Sequence, residues 1–169
     1  MNVKLRTWRL SDAAGIVKHA NNYNVAQYLT DDFPFPYTFE DAVLYIGSVS
    51  GNDPVKVFAI DVDGEAVGSI GIFPQAGIYR KNAEIGYWLS EEYWGRGIML
   101  KAIKEIVRYG FNTFDITRIF ARPFAINIQS QKVLQKAGFV KEATFQKSVF
   151  KNNEYMDEVY FSVCRSSDK

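Results

Sequence analysis

The stretch Glu84–Met99, EIGYWLSEEYWGRGIM, places two glycines and an arginine between a strand pattern and a helix pattern. Its first part alternates in the way that a half-buried strand does. From Gly97 onward the apolar residues Met99, Ile103 and Ile106 recur at the spacing of one helix face. The sequence therefore predicts a strand over 82–89, a turn at Gly95–Gly97 and a helix over 97–112.

The start of this helix is predicted to bind an anion. The first four backbone N–H groups of a helix have no partner inside it, and they carry partial positive charge. Gly95 and Gly97 lack a Cβ atom, so a phosphate can approach the backbone closely, and Arg96 adds a charged donor. A plain turn that opens a helix is the alternative interpretation of the same glycines.

Patterns on either side of this stretch predict a single domain over residues 1–169 with a mixed sheet and helices packed against it. Local signals mark several boundaries: a helix cap at Ser11-Asp12, a capping box at Thr38, a hairpin turn at Asp63-Gly64 and a C-cap at Gly138. The predicted strands cover 3–8, 55–61, 65–73, 82–89, 117–122, 139–149 and 155–163. The predicted helices cover 13–21, 38–49, 97–112 and 129–137, with a short helical piece at 25–29.

Composition narrows the class of protein. The net charge of +1 offers no global field for nucleic acid or an anionic membrane. No segment has the pattern of a signal peptide or a membrane span, so a cytoplasmic protein is expected. His19, expected on a surface helix, and Cys164, expected as a buried structural thiol, are the only residues of their types, so no metal site is expected.

Several ordered motifs together resemble the GNAT N-acetyltransferases, and most closely the branch that acetylates ribosomal-protein N-termini. The family's coenzyme A loop reads Arg/Gln-x-x-Gly-x-Gly/Ala. Gly97 matches its fixed glycine, and Trp94 and Met99 replace its first and last residues, as is usual in that branch. Further motifs that fit the family are Leu5-Arg6 with Asp12, Ala83–Leu89, Asn127 with Ser130, Lys136–Phe139 and Tyr155–Asp157.

The resemblance implies the GNAT fold, an α/β fold with a central sheet of about seven strands and about four helices, in which strands 4 and 5 splay apart. It also implies acetyl-CoA as co-substrate and no metal. The residues expected to bind coenzyme A are Trp88, Leu89, Trp94, Gly95, Arg96, Gly97, Ile98, Met99, Leu100, Asn127 and Lys132. For Lys132 a solvated surface position is the alternative, and for Asn127 a helix cap.

The expected chemistry is direct attack of an amine on the thioester. Glu84 is the candidate general base, and a structural pairing with an arginine is the alternative. Many family members carry a tyrosine acid seven residues after the asparagine, where this chain has Leu134. In the ribosomal-protein branch a serine at the position of Ser130 is thought to take this part, although helix capping is an equal alternative.

The loop Phe33–Tyr37 lies where the family covers its acceptor. Phe33, Phe35 and Tyr37, with Trp8 and Trp88, are expected to shape the acceptor pocket, and a hydrophobic cluster beneath the loop is the alternative. The acceptor is expected to be a protein N-terminus or a small amine such as a polyamine, an amino acid or an aminoglycoside. A catalytically silent acyl-CoA sensor is a further alternative, and a monomer and a homodimer both remain open.

Overall fold

The structure is a computed structural model that describes residues 1–166, and over that range it contains seven strands and five α-helices. The strands are β1 (Val3–Arg6), β2 (Val57–Val62), β3 (Glu65–Pro74), β4 (Asn82–Leu89), β5 (Arg118–Ala121), β6 (Val140–Lys151) and β7 (Glu154–Cys164). The helices are α1 (Ala13–Ala20), α2 (Tyr23–Ala26), α3 (Phe39–Val49), α4 (Ile98–Thr113) and α5 (Ile128–Lys136).

The chain divides into two compact units. The first unit holds Met1–Gly71 and Gly86–Glu105, and the second holds Ile72–Ile85 and the chain from Ile106 onward. β3, β4 and α4 each have residues in both units. The strand order is β1-β2-β3-β4-β5-β7-β6, which confirms the predicted seven-stranded mixed sheet.

The fourth and fifth strands are parallel and pair over a short distance. Asn82, Ala83 and Glu84 of β4 face Arg118, Ile119 and Phe120 of β5. Within the described chain this register ends at Glu84, although β4 continues to Leu89. Such short pairing agrees with the predicted divergence of the two strands.

Several local signals act as predicted. Asp63 and Gly64 both have positive φ, 51° and 100°, as a two-residue hairpin turn requires. Thr38 and Asp41 form a reciprocal capping box at the start of α3, and Gly138 follows α5 at φ +96°. The hairpin between β6 and β7 turns at Asn152 and Asn153, with φ of 52° and 62°.

The side chains of the first unit's core come mainly from α1, α3 and the inner face of β2. Ile16, Ala42 and Ala59 are fully buried in this cluster, and Ile46 is nearly so. In the second unit Ile119, Phe161 and Leu134 are fully buried. No helix in residues 1–166 combines the length and the apolar character that crossing a bilayer requires.

Several details of the elements differ from prediction, and β2, for example, begins at Val57 and not at residue 55. β1 ends at Arg6, because Trp8 leaves the strand and enters the core at 5% exposure. The short helix α2 begins at Tyr23, earlier than predicted, since the Asn22 side chain accepts a hydrogen bond from the N–H of Asn24 and caps it. Asp12 stands at the start of α1 without a side-chain cap bond, because its carboxylate accepts hydrogen bonds from Arg6 and the N–H of Arg9.

Two expectations about single residues were wrong. His19 lies on the inner face of α1 at 2% exposure, because both of its ring nitrogens have partners inside the first unit. Cys164 is exposed, since it is the last residue of β7 and lies beyond the buried stretch of that strand.

Candidate active site

The predicted anion-binding turn lies in the first unit and opens α4. Gly95 and Gly97 have φ of +73° and +76°, in the left-handed region that glycine adopts at no steric cost. The N–H of Lys101 donates to the carbonyl of Gly97 at 3.2 Å, so the amides of residues 98–100 precede the first intrahelical bond. A Cβ atom built at either glycine would meet open space. The backbone of the turn is therefore open to a ligand.

The residues around this turn hold it in place. The indole Nε1 of Trp94 donates to the carbonyl of Leu89 at 2.8 Å, and its backbone N–H donates to the carbonyl of Glu91 at 3.1 Å. The guanidinium of Arg96 lies 5.4 Å from the ring centroid of Tyr93. Such a contact stabilises the cation while leaving the edge of the guanidinium for another acceptor.

The other residues predicted for this part of the site differ in exposure. Trp88, Leu89 and Ile98 are buried, at 8%, 6% and 2%, so their side chains offer little surface to a ligand at the turn. Met99 and Leu100 are half-buried. Helix-start amides without an intrahelical partner, with a flanking arginine, are a typical site for an anion such as a phosphate.

In the second unit, Glu84 and Arg122 form a bidentate ion pair. Arg122 Nε donates to Glu84 Oε1 at 2.8 Å, and Nη2 donates to Oε2 at 3.0 Å. Hydrogen bonding to Glu84 raises the pKa of Arg122 above its ordinary value, against the opposing effect of burial. Sequence reasoning named pairing as the alternative for Glu84 but did not identify Arg122 as the partner.

An aromatic cluster adjoins this ion pair. Arg122 lies over the ring of Tyr160 at 5.9 Å and donates to its hydroxyl at 3.5 Å. The Tyr160 ring also packs against Phe145 at 4.6 Å and lies parallel to Phe120 at 6.1 Å. Strand parity alone could not have found this group, because it depends on the register that pairs Phe120 with Glu84, and Arg122 lies one residue beyond the end of β5.

Asn127 is the N-cap of α5 in the second unit. Its Oδ1 accepts a hydrogen bond from the N–H of Ser130 at 3.1 Å, which realises the capping alternative for Asn127. Oδ1 is only one end of the amide, and Nδ2 remains the donor that a ligand would use. Ser130 is half-buried, Lys132 is exposed, and Leu134 is fully buried in place of the family's tyrosine.

The aromatic residues of the predicted acceptor wall are in the first unit. Phe33 contacts Tyr37 at 5.1 Å and Trp88 at 5.5 Å between ring centroids, while the exposed Phe35 contacts Tyr23 at 5.6 Å. Burial raises the pKa of Tyr37, which is 4% exposed.

Trp8 belongs to the same buried cluster as Tyr37 and Trp88, but it packs edge-on against Tyr45 at 5.7 Å. It also lines a cavity of about 340 Å³ next to Val49 and Ser50, at the C-terminal end of α3. Phe33, Tyr37 and Trp88 thus form one contiguous group, and the structure places Trp8 beside it in the core.

Comparison with known families identifies the fold and chemistry together. The family model described as the acetyltransferase (GNAT) domain matches residues 2–140, which is most of the chain. The chain belongs to the GNAT acetyltransferases. This membership confirms the resemblance seen in the sequence, and acetyl-CoA is the acyl donor of this family.

Three curated relatives of this GNAT enzyme show the range of the similarity. An uncharacterized N-acetyltransferase of Bacillus subtilis, YnaD, is 28% identical over 94% of this chain and 91% of its own length. The ribosomal-protein-serine acetyltransferase of Escherichia coli is 31% identical over 60% of this chain and 56% of its own length. The spermidine N(1)-acetyltransferase of Escherichia coli is 25% identical over 94% of this chain and 83% of its own length.

Solved structures confirm the fold of this GNAT enzyme. The ribosomal-protein α-N-acetyltransferase RimL, crystallised with coenzyme A, superposes with a TM-score of 0.85 at 20% identity, over 99% of this chain and 97% of RimL. At that identity the likeness concerns the fold.

Proposed function

We propose that this acetyltransferase moves an acetyl group from acetyl-CoA to the α-amine at the N-terminus of a protein or peptide. The observation that carries the proposal is the state of Glu84, whose two carboxylate oxygens both accept hydrogen bonds from Arg122. A carboxylate engaged in this way suits an acceptor that requires little help in losing its proton. The ribosomal-protein-serine acetyltransferase among its relatives supports the same choice.

The pKa of the acceptor amine decides how strong a base the enzyme needs. An α-amine has a pKa of about 7.7–8.0, so an appreciable fraction is neutral near pH 7.5, whereas a lysine amine near about 10.4 is almost wholly protonated. A lysine or a polyamine therefore asks more of a general base. Glu84 held by Arg122 fits the α-amine better.

Each residue is proposed for the role that its chemistry suits. The amides that begin α4, with Arg96, bind the diphosphate, and the Nδ2 of Asn127 donates to the pantetheine arm. The bound cofactor supplies the acetyl thioester. The amine nitrogen forms a bond to the acetyl carbon as the carbon–sulfur bond breaks, and Glu84 receives the amine proton directly or through a water. Ser130 donates a hydrogen bond to the departing thiolate.

A polyamine is the second candidate acceptor, because the spermidine acetyltransferase relative aligns with 94% of this chain. Asp31 and Asp32, both exposed before the aromatic loop, are the carboxylates nearest in sequence that could attract a polycation. A polyamine acceptor would require these charges, whereas a peptide N-terminus would not.

A panel of acceptors with acetyl-CoA, read by mass spectrometry, tests the proposal. We expect acetylation of peptides with a free N-terminus, and none of the same peptides with a blocked N-terminus and a free lysine. Spermidine turnover that is lost in Asp31→Asn/Asp32→Asn would support the second candidate and overturn the first.

A further inference from the structure

His19 is a buried titratable residue to which the proposed mechanism assigns no role. Its Nε2 lies 2.9 Å from Glu65 Oε1, and its Nδ1 lies 3.0 Å from Ser90 Oγ. Because an ionised carboxylate only accepts hydrogen bonds, Nε2 carries a hydrogen, and in the neutral ring Nδ1 accepts the Ser90 hydroxyl hydrogen. His19 thus connects α1 to the first residue of β3 and to the end of β4.

Ser90 is the residue from which the coenzyme A loop departs. Its N–H donates to the carbonyl of Val67 at 2.9 Å, and its carbonyl accepts from the N–H of Tyr93 at 3.0 Å. Ser90 is itself only 3% exposed. The Ser90–His19 bond is therefore a third tie at the point where the chain turns toward Trp94 and the glycines.

The imidazole also supports the loop's cation. The His19 ring packs edge-on against Tyr93, with centroids 6.0 Å apart, and the same Tyr93 ring carries the guanidinium of Arg96. One buried ring thus supports both the polypeptide that enters the loop and the loop's only charged side chain within Trp94–Met99.

The segment that follows α1 also forms hydrogen bonds with the start of the loop. Glu91 accepts hydrogen bonds from Asn22 at 2.7 Å and from Asn24 at 3.0 Å, and these bonds lower the pKa of the Glu91 carboxyl. Two consecutive loop residues, Ser90 and Glu91, are therefore held by side chains of one continuous stretch, His19–Asn24.

We infer that His19 is a positioning residue for coenzyme A binding, which it supports by fixing Ser90 and Tyr93 behind the glycine turn. It does not touch the cofactor and acts through those two residues. A loop whose amides are already aimed at the diphosphate loses less conformational entropy on binding than a mobile one. The inference rests on the proposed place of coenzyme A at the start of α4.

Calorimetric titration with coenzyme A itself tests the inference, because it needs no acceptor and no turnover. His19→Phe keeps an aromatic ring against Tyr93 but removes both hydrogen bonds, and Ser90→Ala removes one of them from the loop side. We expect each to raise the Kd about tenfold. Because both substitutions break the same bond, the double variant should bind no more weakly than the weaker single variant.

Ser69→Ala is the matched control, since Ser69 is also 3% exposed and its hydroxyl bonds to Tyr45 at 2.7 Å, in the same unit. It should lower the melting temperature and leave the Kd unchanged. If His19→Phe does not fold, the comparison of the coenzyme A Kd of Ser90→Ala with that of Ser69→Ala tests the inference. Wild-type affinity in Ser90→Ala, or an additive double variant, overturns the inference.

Gly97→Glu separates failure of this inference from failure of the proposed cofactor site. If Gly97→Glu no longer binds coenzyme A while Ser90→Ala binds it as the wild type does, only the inferred role of His19 is rejected. Wild-type binding in Gly97→Glu would remove the proposed site, and the inference with it.

Discussion

Glu84 and Arg122 are joined by two hydrogen bonds, at 2.8 Å and 3.0 Å, although they lie 38 residues apart in the chain. The parallel register of β4 and β5 brings them together, because Glu84 faces Phe120 and Arg122 follows two residues later. A planar guanidinium fixes both the position and the orientation of a carboxylate, which a lysine in its place would not do.

Glu84→Gln should lower kcat on a peptide N-terminus about tenfold, which is less than the roughly hundredfold or more that a general base typically contributes, because the α-amine is already partly neutral near pH 7.5. Glu142→Gln is the control, since Glu142 pairs with Arg118 in the same unit. Steady-state kinetics on both variants provides the measurement. Equal and small effects would assign Glu84 a structural role only.

Asn127→Asp should separate helix capping from cofactor binding. An aspartate still accepts the hydrogen bond of the Ser130 N–H and suits a helix N-terminus, so the melting temperature should hold. It lacks the amide donor, so the KM for acetyl-CoA should rise. Asn127→Ala should lose the cap as well, at a cost of about 1 kcal/mol in unfolding free energy. An unchanged KM in Asn127→Asp would leave Asn127 as a cap.

Ser130→Ala should lower kcat more than it raises KM, by about tenfold or more, because a hydrogen bond to a charged group contributes roughly 1.5–3 kcal/mol. Ser148→Ala, which removes a hydroxyl bonded to the carbonyl of Phe145 in the same unit, is the control. Rates measured at saturating acetyl-CoA give kcat for the two variants and separate an effect on kcat from an effect on KM. If kcat survives in both variants, Ser130 does not act on the thiolate.

Gly97→Glu should abolish coenzyme A binding, because it sets bulk and negative charge where the diphosphate is proposed to lie. Gly51→Glu is its matched control: Gly51 also has a left-handed φ, +80°, and open space at its Cβ position, and it follows α3. Both variants carry similar backbone strain, so only Gly97→Glu should change the calorimetric titration. Equal affinity in the two would reject the proposed loop.

Acid stability should depend on the contacts of Arg6 with Asp12 and Asp61. Burial would raise the pKa of each carboxyl, but hydrogen bonds from Arg6 and from backbone N–H groups lower it below its ordinary value. The contribution of these two ionised carboxylates to the free energy of unfolding is therefore fully present above the unfolded-state pKa of about 3.9. It is lost as the pH falls through the lower pKa values of the folded state. In thermal unfolding measured over a series of pH values, Asp12→Asn should make the melting temperature fall less steeply toward acid pH. A pH dependence identical to that of the wild type would contradict the assignment.

Features set by neighbouring residues were predictable from the sequence. β4 begins and ends where the alternation predicts, and Asp63-Gly64, Thr38 and Gly138 act as their local chemistry requires. His19 was expected on a surface helix and Cys164 as a buried thiol late in a strand, and both expectations were wrong because distant partners and strand length decide those positions. The identity of Arg122 depended on the register of two strands, which no local pattern gives.

The β6 strand lies at one end of the sheet, and most of its twelve residues face solvent. Its register with β7 shifts between Lys141 and Ala143 and again between Phe145 and Val149, and Lys147 has a positive φ while its N–H bonds to Asp157. An irregular border of this kind cannot template a long ladder with a neighbouring molecule. These two register shifts therefore disfavour ordered association of neighbouring molecules through the β6 edge of the sheet.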